Sequence, residues 1–249
     1  LDVNGHEVAL LGAEYANAPT PALFARLSVA AEPKRQELLR RRNQPMGATA
    51  ALVSMRVDLL KLLSDHPDFA SINFDFMHLL RSWFNRGFLV LQNINWDTPA
   101  RILDKIVAYE AVHQINDLDD LRRRLYPADR RCFAFFHPAM PDEPLIFVEV
   151  ALTETIASSI DEVLSDDRAS LAAEDAKAAV FYSISNCQKG LSGISFGNLL
   201  IKQVVRELSV TCPQIEDFVT LSPIPGLNKW LMRQVEDAAI GPIAQAVLD

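Results

Sequence analysis

Apolar side chains recur at spacings of three and four over residues 22–29, 33–42, 48–63 and 74–84, so the first 85 residues predict a series of amphipathic helices separated by prolines. In the third run Leu52, Met55, Leu59, Leu62 and Leu63 form one stripe, and Pro67 closes it. Short proline-marked links between such helices predict a helical bundle of about 80 residues. At Gly87 the period changes. GFLVLQNINW is a continuous apolar stretch of strand length, which places a domain boundary near residue 85 and divides the chain into 1–85 and 86–249.

Thr98 and Pro99 open a helix with Ile102, Leu103, Ile106 and Val107 on one face, and DLDDLRRRL forms a second short helix. Strand-like runs follow at 131–137 and 145–153, joined by the turn-rich PAMPDEP, and an acidic connection over 156–174 reads as helical. AAVFYSIS is a further strand, QKGLSG a loop, SFGNLLIKQVVRELS a helix, and DFVTLSPIPG a strand that runs into a proline-rich turn. The order strand, two helices, three strands, helix, strand predicts an α+β chain, a helical bundle followed by a mixed-sheet domain.

Composition narrows the function. With 249 residues, 49% hydrophobic and 22% charged, the chain has the profile of a globular protein able to bury a sizeable core. Its 32 acidic against 24 basic residues give a net charge of −8, which disfavours nucleic acid and means that a polyanionic ligand needs a local basic patch. Cys132, Cys187 and Cys212 are widely spaced without CxxC, which argues against a disulfide framework or a zinc site and for a reducing compartment. No apolar run approaches the roughly 20 residues of a membrane span, and LDVNGHEVALLGAEY carries acids where a signal peptide is basic. The expectation is a cytoplasmic protein without a membrane partner, trimmed ahead of Leu1.

Chemistry concentrates between Ala178 and Leu227. A strand feeding a glycine-containing loop that opens a helix can hold a pyrophosphate, because the first helical turn presents unpaired N–H groups and the positive end of the helix dipole. Gly190, Gly193 and Gly197 allow close backbone approach, and Lys189, Lys202, Arg206 and Lys229 are local cations. The loop matches neither GxGxxG nor GxxxxGK[ST], which leaves a dinucleotide fold and a P-loop unsupported. Spacing alone favours a plain turn with solvated cations. The triplets Arg40–Arg42 and Arg122–Arg124 read as exposed helix faces, Asp119–Asp120 and Asp166–Asp167 as solvated pairs, and Cys187 as a buried inert thiol.

The element order resembles the acetyltransferase (GNAT) superfamily, in which the loop between the fourth strand and the third helix binds the coenzyme A pyrophosphate. The segments HPAMPDEPLIFVEVALT, AVFYSISNCQKGLSGISFGNLLIKQVVREL and TLSPIPGLNKWL, with RRRNQPMGATAALVSMRVDLLKL and RSWFNRGFLVLQNINWDTPARIL, resemble more narrowly the malonyl-CoA decarboxylase family over nearly the whole chain. That family joins a helical domain to a GNAT-like catalytic domain. The resemblance implies conversion of malonyl-CoA to acetyl-CoA and carbon dioxide without metal or organic cofactor, in a homotetramer or homodimer assembled through the helical domains.

Carried over by residue, the resemblance puts acyl-CoA binding on Ser192, Gly193, Ile194, Ser195, Phe196, Gly197 and Asn198, with Gln188 and Gly190 leading in, and the catalytic serine on Ser222. Ser183 is a weaker candidate for lining the same pocket. The family's proton-transfer histidine comes from its carboxy-terminal part. None of His6, His66, His78, His113 and His137 follows Ser222, so that group is expected outside these residues; His66, His78 and His137 have structural readings. Two rivals remain open, a CoA-dependent acyltransferase and a non-catalytic acyl-CoA-binding subunit.

Overall fold

The computed structural model describes residues 2–165, 168–235 and 240–248. Five helices come first: α1 (Gly5–Asn17), α2 (Pro21–Ala31), α3 (Lys34–Arg42), α4 (Ala48–Leu62) and α5 (Ala70–Trp83). Asn4 and Thr20 cap α1 and α2 by accepting from Glu7 N–H and Leu23 N–H. These two helices pack on one another, yet α1 buries only Leu11 and α2 buries no residue. The sequence pattern missed α1, because a helix with one buried side chain leaves almost no apolar period to read.

Then follow β1 (Val90–Ile94), α6 (Ala100–Tyr109), α7 (Leu118–Leu125), β2 (Arg130–Phe136), β3 (Ile146–Thr153), α8 (Ile160–Leu164), β4 (Ala178–Asn186), α9 (Gly197–Thr211), β5 (Asp217–Thr220), α10 (Leu227–Gln234) and α11 (Gly241–Leu248). The strands form one sheet in the order β1-β2-β3-β4-β5. The first four pair antiparallel, and β5 returns parallel to β4 after the α9 crossover. The α+β class and the mixed sheet are therefore those of the sequence pattern, with β5 shorter than its apolar run and two helices after the SPIPG turn. The acidic connection is helical only in α8 and a single 3-10 turn at Ala173–Asp175; Asp166 and Asp167 lie outside the described residues.

Alternation along β3 sorts the core into two faces. Ile146, Val148, Val150 and Leu152 share one cluster with Leu52, Val53 and Leu80 of the first helices and Leu200, Val204 and Leu208 of α9. Phe147 points the other way, into a cluster with Ile102 and Ile106 of α6 and Leu121 and Leu125 of α7. Thus α3 to α5 share a core with the sheet.

Two side-chain expectations are corrected here. On α4, Met55 and Leu62 are exposed, and the buried face is Thr49, Leu52, Val53, Arg56 and Leu59, because the contact with the loop after β4 recruits an arginine. On α7, Arg124 is buried rather than solvated: its Nη1 donates to Glu149 Oε2 at 3.1 Å and its Nη2 to the Gln114 carbonyl.

Candidate active site

The loop after β4 is shaped by what lies under it. At Gly190 a Cβ would stand 2.0 Å from the Val53 carbonyl oxygen of α4, so only glycine fits that crossing. Gly193 has φ +82°, a left-handed conformation, with the Met77 methyl of α5 packed beneath it. Arg56, 2% exposed, sends Nη1 to the carbonyls of Gly190 (2.6 Å) and Ser192 (2.9 Å) and Nε to Asn73 Oδ1 (3.0 Å). All its partners are neutral, and burial, with the nearby charge of Arg81, holds its pKa below the usual guanidinium range.

That clamp decides where the loop's donors aim. In a trans peptide the N–H points opposite to the C=O, so holding the Ser192 carbonyl toward Arg56 turns the Gly193 N–H away from the helices. It has no partner among the described residues. Nor does any side chain cap α9, whose first-turn N–H groups open beside it. The result is a cleft of ≈ 700 Å³ with a donor-lined rim, walled by Gln188, Ser192, Gly193, Ile194, Ser195, Phe196 and Gly197. Asn198 faces a neighbouring cleft, and Gly190 is buried against α4.

A second cleft of ≈ 830 Å³ adjoins it and shares Asn186, Gln188 and Lys189. Glu110, which ends α6, lies on its wall. Its carboxylate accepts from Ser183 Oγ at 2.8 Å, from Ser185 Oγ at 3.2 Å, and from the N–H groups of Val112 and His113 at 2.8 Å each. A register shift opposite Glu149/Val150 makes this cluster, because it sets both Ser183 and Ser185 on the α6 side of the sheet. Beside them Glu149 is fully buried, and desolvation pushes its carboxyl up to about 7 against the pull of Arg124. Burial raises the Cys187 thiol, which leaves it inert. His137 is held by the Trp83 carbonyl and the Phe84 ring, a structural position.

Ser222 stands apart. It is exposed, two residues beyond β5, and lines neither cleft, although Leu221 N–H still bonds the Phe181 carbonyl. Glu110 was invisible to sequence reasoning, since a lone acid at a helix end becomes distinctive only once the bulge brings two serines to it. Arg56 left a faint signal, a charge inside an apolar run.

The family profile described as the malonyl-CoA decarboxylase N-terminal domain matches residues 2–84, and that of the malonyl-CoA decarboxylase C-terminal domain matches residues 87–248. The chain belongs to the malonyl-CoA decarboxylase family. The mitochondrial malonyl-CoA decarboxylase of Anser anser anser is 44% identical over 207 residues, covering 80% of this chain and 41% of the relative. The mouse mitochondrial protein of the same name is 38% identical over 213 residues, covering 83% and 43%. Among solved structures, malonyl-CoA decarboxylase from Rhodopseudomonas palustris superposes with a TM-score of 0.88 at 50% identity, over 100% of this chain and 62% of that one. The Agrobacterium vitis malonyl-CoA decarboxylase gives 0.90 at 52%, over 95% and 57%. The chain therefore spans about two fifths of the length of these curated malonyl-CoA decarboxylases. Among the described residues no helix is long and apolar enough to cross a membrane.

Proposed function

We propose that this chain carries the acyl-CoA-binding half-site and the catalytic serine of a malonyl-CoA decarboxylase. The supporting observation is the donor-lined loop at the entrance of α9, clamped by Arg56 and opening into the ≈ 700 Å³ cleft. A pyrophosphate suits that rim, because it takes hydrogen bonds from backbone N–H groups that nothing else satisfies. The thioester arm then runs along β4, whose Ile184 and Asn186 line the same cleft, toward Ser222 beyond the end of β5.

In the reaction the bond between C2 and the carboxylate of the malonyl group breaks. Its electron pair passes into an enolate on the thioester oxygen, carbon dioxide leaves, and a proton added at carbon yields acetyl-CoA. Hydrogen-bond donors at the enolate oxygen are what the protein must supply. By family resemblance Ser222 is such a donor, whereas Ser183 is buried against Glu110 and lines neither cleft. This scheme asks for no metal or organic cofactor. We also propose the division into 1–85 and 86–249, supported by the change from helices to sheet and by profiles that meet there. Self-association through the first helices is supported by Leu10, Phe24 and Val29, exposed on α1 and α2. A reducing, intracellular setting is supported by three buried free thiols.

The test is labelled carbon dioxide release from malonyl-CoA by the natural full-length protein. Ser222→Ala lowers kcat on the order of 10²- to 10³-fold with little change in CoA affinity. Gly193→Asp, which forces a side chain into a left-handed position against Met77 and adds a negative charge at the loop, weakens CoA binding in calorimetry at least about tenfold. Absence of release by the wild type overturns the decarboxylase assignment.

A further inference from the structure

We infer that the cleft between the end of α5 and the first turns of α9 is a subsite for the 3′-phosphate of the CoA thioester, an inference that rests on the acyl-CoA reading of the loop. This cleft, ≈ 420 Å³, uses Ile194, Ser195 and Phe196 as a wall in common with the first one. Its cations come from three places in the chain: Arg81 on α5, Arg86 in the 3-10 turn Arg86–Phe88, and Lys202 on α9. No carboxylate lines it, and none of the three cations has an acidic partner among the described residues. In a chain of net charge −8, three converging cations without one acid mark a site that awaits an anion.

The ligand's own chemistry selects the anion. Coenzyme A carries a pyrophosphate and, one ribose away, a third phosphoryl group on the 3′ oxygen. With the pyrophosphate on the loop N–H groups and the thioester arm directed along β4, the nucleoside leaves from the opposite side of the same loop. That side is the cleft. Leu89 and Leu199 supply apolar surface there for the base. A phosphate dianion among two guanidiniums and an ammonium is held by charge-assisted hydrogen bonds of the kind that arginine forms with paired donors. Arg81 is also close enough to Arg56 to depress its pKa, so one positive field spans cleft and loop.

The experiment compares CoA with 3′-dephospho-CoA by calorimetry on the full-length protein. Wild type binds CoA about tenfold more tightly than the dephospho compound, an advantage that shrinks with added salt. In Arg81→Gln/Arg86→Gln the ratio of the two dissociation constants falls to about one; Lys202→Gln, on a different element, moves it in the same direction. All three side chains are exposed, and unfolding midpoints check that the variants keep the fold. A wild-type ratio near one, or a ratio unchanged in both variants, overturns the subsite. Gly193→Asp separates the two levels: if it leaves CoA affinity unchanged, the loop assignment itself fails, whereas loss of binding there with an unchanged ratio in the cation variants removes only the 3′-phosphate subsite.

Discussion

A guanidinium buried among neutral partners costs several kcal/mol of desolvation unless its hydrogen bonds and a nearby anion offset it. Arg56 has the hydrogen bonds in the loop carbonyls, and in the proposed complex the CoA pyrophosphate supplies the anion. Arg56→Met therefore weakens CoA binding on the order of tenfold, and Arg56→Lys by less, because lysine keeps the charge without the forked geometry; calorimetry measures both. Glu149 has the opposite problem, a carboxyl that burial keeps protonated up to about pH 7. Between its ordinary value near 4.5 and about 7 the folded state holds a proton that the unfolded chain has lost, so this contribution to stability falls as pH rises through that window. Glu149→Gln removes the slope. Unfolding midpoints of the two proteins from pH 4 to 8 check it, the wild type losing ground to the variant as pH increases.

At the scale of elements, the contact between α4 and the loop is a backbone-to-backbone crossing at Gly190. Gly190→Ala puts a methyl 2.0 Å from the Val53 carbonyl, which neither element can yield cheaply. It destabilises the fold by about 1–3 kcal/mol and weakens CoA binding with it, measured by denaturant unfolding and calorimetry. The elements that bury a clean stripe, such as α6 with Ile102 and Ile106, were readable from period alone. Those held by a few contacts were not: α1 buries one side chain, and β5 pairs with β4 over only four residues, Ala178↔Asp217 to Phe181↔Thr220. The loop was legible as a strand-to-helix junction, and the family resemblance proposed which of its residues bind acyl-CoA. Arg124 and Glu110 were hidden because their partners, Glu149 and Ser183, come from strands distant in sequence.

Across the whole molecule, α1 and α2 stand outside the shared core, whereas α3 to α5 are part of it. Deleting residues 2–31 thus lowers the unfolding midpoint less than Leu80→Ala, a cavity in the core worth about 2–5 kcal/mol, while sedimentation shows a smaller assembly. Calorimetric unfolding and analytical ultracentrifugation check the two halves of that expectation. The shared core also orders events in time. Arg56 meets Gly190 134 positions later in the chain, and a ribosome adds roughly 5–20 residues per second. For on the order of ten seconds the nascent α4 displays a cation and an apolar face whose partners have not yet been synthesised, so the helical segment, although translated first, reaches its native packing only after β4 and the loop emerge.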